Sequence, residues 1–251
     1  MASREKLQLM GLEVPANLEE LRAPDLDGGS VHLWYGETKS AEQQPWTEKL
    51  LSSDEAARRE RFHFEDDRKS FAFCRGLLRT VLAAYCGADP RELRFRYSEH
   101  GKPSLAGTGA EQELQFNLSH TRGAVMLGIS RRRAVGVDVE RVREDLRPRE
   151  IAARFFSAAE QQALRGLPEA EQRQAFFRCW TRKEAFLKAR GHGLSFPLDR
   201  FDVSIGDGDE EVRLTTRPGP EEAENWQIFP APAPGGCIAA VAVANLEHRP
   251  E

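Results

Sequence analysis

The stretch Ala134-Val-Gly-Val-Asp-Val-Glu140 decides how this chain is read. Its strict alternation is that of a β-strand, on which successive side chains point to opposite faces. Val135, Val137 and Val139 point one way, into a core. Gly136, Asp138 and Glu140 point the other way, and the glycine leaves open space beside the two acids. Two carboxylates on one face repel each other. They are comfortable only in bulk water or with a cation between them. The motif therefore has two readings, an edge strand with a solvated acidic face or an all-oxygen cation site. The second suits Mg²⁺, which takes one or two protein carboxylates together with waters and phosphate oxygens.

Working outward, the strand restarts a pattern that the preceding residues have already run once. Residues 1–30 are polar and punctuated by Pro15, Pro24 and Gly28-Gly29, which predicts an irregular arm. Val31 to Tyr35 has strand composition. Thr47 to Phe62 and Phe64 to Tyr85 are helical, the second with Phe71, Leu78, Leu82 and Tyr85 at helical spacing and Gly87 as its stop. Leu93 to Tyr97 is a short strand, and His100 to Pro103 a turn. Leu114 to Asn117 and Ala124 to Ile129 are strands joined by a loop over Leu118 to Gly123, and Arg131 to Arg133 close this half. After the 134–140 strand come helices over Ile151 to Phe156, Ala158 to Arg165 and Glu169 to Ala189. Strands follow over Phe201 to Ile205 and Val212 to Thr216, and a hairpin of Trp226 to Phe229 with Cys237 to Ala244 ends the pattern. The halves rhyme: a Val-rich strand, helices, then a hairpin. The expected fold is α+β, two similar α/β lobes of roughly 110 residues in a pseudo-two-fold arrangement, each a reasonable domain size. The arm would cover 1–30, the N-terminal lobe 31–133, the C-terminal lobe 134–246 and a tail 247–251. Ligand sites often lie between such units.

Composition narrows the function classes. The 251 residues are 40% apolar and 30% charged, with a formal net charge of −4. A chain this long buries a core without staples. The near-neutral balance argues against a bulk nucleic-acid binder. No apolar run approaches the ~18 residues of a spanning helix, and the first residues lack the apolar core of a secretory signal. Cys74, Cys86, Cys179 and Cys237 are scattered without metal-binding spacing, which predicts reduced thiols and a cytoplasmic setting.

Four further segments carry candidate chemistry. In Trp180-Thr-Arg-Lys183-Glu184-Ala-Phe-Leu-Lys188, helical spacing puts Trp180, Glu184 and Lys188 on one side. That is either an ordinary helix pair beside a core tryptophan or the rim of a site. The glycine-rich Ala189 to Ser195 that follows permits a tight turn or close approach to a ligand. Arg58, Arg61, Arg68, Arg75 and Arg79 share a helical region with many acids. They form either a salt-bridged surface or, for Arg68 and Arg75 at a two-turn spacing, a phosphate site. Lys102, in a turn fixed by Pro103, and His120, in a hairpin loop, are candidate phosphate contacts.

Taken in order, Gly101-Lys102-Pro103, Asn117-Leu-Ser119-His120, Gly136-Val-Asp138-Val-Glu140, Arg154-Phe-Phe156, Trp180-Thr-Arg-Lys183-Glu184-Ala-Phe-Leu-Lys188 and Gly191-His-Gly-Leu resemble the 4'-phosphopantetheinyl transferases of the surfactin-synthetase-activating type. The resemblance runs from about Arg58 to Ala244. It implies that fold, with both lobes in one chain and hence a monomer. It implies Mg²⁺-dependent transfer of the 4'-phosphopantetheine arm of coenzyme A to a serine of an apo acyl carrier protein or a peptidyl or aryl carrier domain, with release of adenosine 3',5'-bisphosphate. Neither nucleic acid nor membrane would be a partner.

The resemblance also assigns residues. Asp138, Glu140 and Glu184 match the metal carboxylates, and Glu184 matches the group that activates the carrier serine. Lys188 matches the lysine on the pyrophosphate, and Lys183 a neighbouring coenzyme contact. Lys102, Pro103, Ser119 and His120 match the turn and loop around the adenosine 3'-phosphate, while Arg68 and Arg75, and more weakly Arg58 and Arg61, match basic coenzyme positions. Arg154 with Phe155 and Phe156, or Arg131 to Arg133, are candidates to meet the carrier. A catalytically silent coenzyme-A-binding module and a coenzyme-A-directed phosphohydrolase are the competing functions.

Overall fold

Residues 7–38, 45–107, 113–191, 196–207, 212–216 and 219–246 are described by the structure, a computed structural model. The tail 247–251, the first six residues and the His192-Gly-Leu-Ser195 part of the glycine-rich segment lie outside them. In the N-terminal half the elements are β1 (Gln8–Glu13), β2 (Ser30–Gly36), α1 (Ser53–Arg59), α2 (Glu65–Cys86), β3 (Phe95–Tyr97), β4 (Pro103–Leu105), β5 (Leu114–Thr121) and β6 (Ala124–Arg131). The C-terminal half has β7 (Val135–Arg141), α3 (Pro148–Phe155), α4 (Ala158–Gly166), α5 (Glu169–Arg190), β8 (Phe201–Val203), β9 (Leu214–Thr216), β10 (Trp226–Ala231) and β11 (Cys237–Ala244).

The repeat expected from the sequence is present in the topology. Strands run β2-β6-β5 in one lobe and β7-β11-β10 in the other, antiparallel throughout. Each lobe carries a helix of 22 residues, α2 and α5. Each helix ends on a left-handed glycine, Gly87 at φ 65 and Gly191 at φ 78, a conformation that costs glycine nothing. The valines of β7 point where alternation predicts. With Val241 and Val243 they pack against Val31, Leu33, Ala124 and Met126 of the N-terminal lobe, forming a core that the lobes share. Leu77, Leu78 and Leu82 of α2 and Phe176, Phe186 and Leu187 of α5 anchor separate cores under each lobe.

Several local expectations change. Gln8–Glu13 is not irregular: it adds a parallel strand to β2, a pairing made by backbone groups and so not required to show a hydrophobic alternation. Leu18, Leu21 and Leu26 of the same arm are buried in the N-terminal core. The helix expected over Thr47 to Phe62 breaks in two, because Ser52 and Glu55 form a reciprocal capping box that starts α1 afresh. Ser119 and His120 lie on β5 rather than in a loop, since that strand runs on to Thr121 and turns only at Arg122-Gly123. Arg131 and Arg133 are engaged within the fold. Their guanidiniums donate to Leu26 O and to Gly28 O at 2.8 and 2.9 Å and fasten the connection between the lobes. Arg132 is exposed and paired with Glu113.

Candidate active site

Gly136 determines how β7 and α5 meet. A Cβ at this position would stand 2.2 Å from Ala185 O and from Ala189 N. The space that the glycine leaves is therefore filled by helix backbone and not by a ligand, which corrects the sequence expectation. Close packing at this point lays α5 directly along the strand. One face of that helix then overhangs the two acids of β7.

The result is a cleft of about 680 Å³ lined by Ser119 and His120 of β5, Asp138 and Glu140 of β7, Trp180, Glu184 and Lys188 of α5, and an apolar wall that includes Phe155, Phe196 and Leu198. The helical spacing of Trp180, Glu184 and Lys188 places all three on the cleft, as expected. Lys188 Nζ lies 2.6 Å from Asp138 Oδ1 and donates to Ser119 Oγ at 2.9 Å. Ser119 Oγ in turn donates to Asp138 Oδ1 at 2.9 Å, and Thr121 Oγ1 donates to Glu140 Oε2 at 3.2 Å. Backbone N–H groups of β7 are satisfied across the lobe boundary by side chains of β5. Val137 N donates to Asn117 Oδ1 at 2.9 Å and Val139 N to Ser119 Oγ at 3.4 Å.

The electrostatics are unbalanced. One ammonium faces three carboxyl groups. Asp138 is only 3% exposed, so the solvated-edge reading of this strand is excluded. Burial, then the Asp138 charge, push the Glu184 carboxyl up to about 7, against the opposing pull of Lys188. Burial and Asp138 also raise Glu140. The desolvating cleft walls, with Lys188 second, hold the His120 imidazole below its ordinary range. Asp138 Oδ2 and Glu184 Oε1 are buried acceptors without a hydrogen-bond partner among the described residues. Such groups are costly unless something positive meets them. No three His, Cys, Asp or Glu side chains among the described residues already stand at metal-ligating spacing, and Lys188 holds the other Asp138 oxygen. The orphaned oxygens, the all-carboxylate donors and the raised Glu184 nevertheless fit a hard divalent cation.

Other expected residues lie elsewhere. Lys183 is fully buried on the far side of α5, with its ammonium on Glu160 at 2.6 Å, on Phe201 O at 2.6 Å and over the Phe201 ring. Helical geometry turns it about 100° from Glu184, away from the cleft. Arg75 and Arg79 both bind buried Glu55, and Arg79 also donates to Pro90 O and Leu93 O. Arg68 donates to Phe62 O at 3.0 Å and pairs with Glu65. These arginines tie α1 and the following segment to α2. The Arg58 guanidinium lies over the Phe71 ring. Lys102 is half-buried between the lobes with its ammonium on two carbonyls, and Pro103 pairs with Tyr97 in the β3–β4 hairpin. Of the proposed carrier contacts, Phe156 is buried in the C-terminal core. Phe155 is exposed, edge-on to Trp180 at 5.8 Å, beneath Arg154. Sequence reading gave no role to Phe196, Leu198 and Asp199, which line the cleft wall, or to Asn117 and Thr121, which reach across the lobe boundary. The period-2 spacing of Asn117, Ser119 and Thr121 was the available signal for the last two.

Comparison with known proteins agrees with this architecture. Residues 134–241 match the model described as the 4'-phosphopantetheinyl transferase superfamily, and residues 38–131 match the model for the 4'-phosphopantetheinyl transferase N-terminal region. The 4'-phosphopantetheinyl transferase HetI of Nostoc sp. is 36% identical over 246 residues, covering 98% of each chain. The 4'-phosphopantetheinyl transferase Sfp of Bacillus subtilis is 29% identical over 191 residues, 76% of this chain and 83% of that one. The chain belongs to the 4'-phosphopantetheinyl transferase family. It is an enzyme of the kind that uses coenzyme A as substrate and acts on carrier proteins, and nothing favours the silent module or the phosphohydrolase.

Proposed function

We propose that the cleft between the lobes moves the 4'-phosphopantetheine of coenzyme A onto the serine hydroxyl of an apo acyl carrier protein or a peptidyl or aryl carrier domain, leaving adenosine 3',5'-bisphosphate. The observation that carries this reading is the convergence of Asp138, Glu140, Glu184 and Lys188 on one cleft, with two buried carboxylate oxygens still seeking a positive partner. Asp138, Glu140 and Glu184 would hold Mg²⁺, which when bound neutralises pyrophosphate charge and aligns its oxygens. Glu184, on the cleft wall beside Asp138 and Lys188, is placed to accept the proton of the carrier serine, directly or through a water. The Lys188 ammonium, set by Asp138 and Ser119, faces the charge that grows on the departing phosphate. His120 and Ser119 supply polar contacts on the opposite wall. The apolar wall of Phe155, Trp180, Phe196 and Leu198 suits the pantetheine arm and shields the reacting atoms from water.

The remaining assignments are parts of the same reading. Residues 31–133 and 134–246 act as the two lobes of a monomer, because a single chain supplies both walls of the cleft. The four cysteines, none of them in a disulfide among the described residues, are consistent with a cytoplasmic enzyme. No helix among the described residues is long and apolar enough to cross a membrane. The exposed Phe155 and Arg154 at the mouth are the surface offered to the carrier. Incubation with coenzyme A, MgCl₂ and a panel of apo carriers, followed by intact-protein mass measurement, tests the proposal. Addition of one phosphopantetheine per carrier is expected, and no mass gain on any carrier would overturn it.

A further inference from the structure

Lys102 belongs to the N-terminal lobe, yet its side chain runs into the C-terminal one. Its turn is rigidly held: Lys102 N donates to Ser98 Oγ at 3.1 Å, Ser98 N to Lys102 O at 3.0 Å, and Gly101 takes the left-handed φ of 79. From there Nζ donates 2.9 Å to Ala189 O and 3.3 Å to Val135 O. Ala189 is in the last turn of α5, where the carbonyls carry the helix's partial negative charge and favour a cation. It directly follows Lys188. Val135 opens β7 and directly precedes Gly136. The ammonium thus spans the two elements that carry the cleft's acids and its lysine, at the point where Gly136 lets them touch. The side chain does not line the cleft. Burial lowers its pKa to about 8, consistent with an ammonium held by carbonyl dipoles and, among the described residues, no carboxylate partner.

We propose that Lys102 is a positioning residue, which holds the last turn of α5 against the start of β7 and so sets Lys188 and Glu184 over Asp138, and that its ammonium is not a ligand of the coenzyme's 3'-phosphate. The inference rests on the transferase reading, because the spacing it sets matters to that chemistry. It differs from an ordinary structural lysine in its expected effects. Loss of the staple displaces catalytic groups, and small displacements of such groups lower turnover steeply. It also loosens the carboxylates that would take the cation.

The test compares wild type with Lys102→Met, using coenzyme A and 3'-dephospho-coenzyme A as paired substrates. For Lys102→Met, kcat at saturating substrate and MgCl₂ is expected to fall about tenfold with both. The MgCl₂ concentration for half-maximal rate is expected to rise about tenfold. The wild-type preference between the two substrates, as a ratio of kcat/KM values, is expected to stay unchanged. A preference that collapses toward one assigns Lys102 to the phosphate and overturns the proposal. An unchanged kcat and MgCl₂ dependence overturns it as well. If Lys102→Met does not fold, NMR of the wild-type lysine ammonium decides: its Nζ resonance should barely move when adenosine 3',5'-bisphosphate and MgCl₂ are added, and a large shift sinks the proposal. A wild type that modifies no carrier would remove the transferase reading, while the NMR measurement would still place the ammonium.

Discussion

The backbone of Ala189 lies where a side chain of Gly136 would be, 2.2 Å from Ala189 N to the position of the missing Cβ. This contact sets the height of α5 above β7, and with it the reach of Glu184 and Lys188 to Asp138. Gly136→Ala is therefore expected to destabilise the protein by about 1–3 kcal/mol, because the clash is with backbone that cannot rotate away. Turnover should fall further than the lost folded fraction explains. Thermal melts read alongside kcat check this, and an alanine variant with wild-type melting and rate would refute it.

The carboxylates should be needed individually. Asp138→Asn and Glu184→Gln are expected to lower kcat by about 10²-fold or more, the usual worth of a catalytic proton acceptor or charge partner. Chelation of divalent cations should stop turnover of wild type, and added MgCl₂ should restore it. The measurement is single-turnover carrier modification followed by mass spectrometry.

Glu184 provides a pH signature. Its carboxyl is raised to about 7 by burial first and Asp138 second. A carboxyl raised on folding stabilises when protonated and loses that contribution as pH rises through its folded value. Glu184→Gln should therefore melt higher than wild type at pH 8 in the absence of divalent cation, with little difference at pH 5. In wild type, a carbon-detected NMR titration should place the Glu184 midpoint near 7, and MgCl₂ should lower it.

Lys183 should behave as a fold residue. Its ammonium and the Glu160 carboxylate form a buried pair, and Glu160 also accepts from Val203 N at 2.8 Å and Ser157 N at 2.9 Å. Removing one partner strands a buried charge, so Lys183→Met is expected to cost about 3–5 kcal/mol. Adding Glu160→Gln should recover part of that loss. The KM for coenzyme A should be unchanged in whatever fraction remains folded, and a selective rise in KM would contradict this.

His32 should make the N-terminal lobe acid-sensitive. The imidazole is fully buried against Tyr85 OH at 2.6 Å, and burial lowers its pKa. A histidine depressed on folding contributes stability above its unfolded value near 6.5, which is lost as pH falls through and below that value. Chemical denaturation between pH 7.5 and 5 should show a loss in wild type that is smaller in His32→Asn.

Residues with a local signal were legible in the sequence, and those answered by long-range packing were not. Alternation placed the three valines of β7 in a core, and Gly87 and Gly191 marked the ends of the two long helices, because periodicity and left-handed caps are properties of a few adjacent residues. Helical spacing also put Trp180, Glu184 and Lys188 on one side. It could not say that Lys183, their neighbour in the motif, would be claimed by Glu160 from another helix. Arg75 likewise had the spacing of a phosphate ligand, but Glu55 had already taken it. Ser119 and His120 looked like loop residues because nothing local showed that β5 continues to meet β7 across the lobe boundary. The lead-in at Gln8–Glu13 hid its strand because pairing along β2 is made by backbone groups, which every residue carries.

By itself, the sequence determined the two-lobed repeat, the strand with the acids, the helix with the glutamate and lysine, and the family to which their order belongs. These follow from periodicity and motif order, which need no knowledge of distant contacts. Only the tertiary structure decided that the gap at Gly136 receives a helix, that Lys102 reaches from one lobe into the other, and that Asp138 and Glu184 each keep an oxygen without a partner among the described residues. Those outcomes depend on which distant groups the fold brings to a buried site, and burial makes such contacts too strong for local pattern to override.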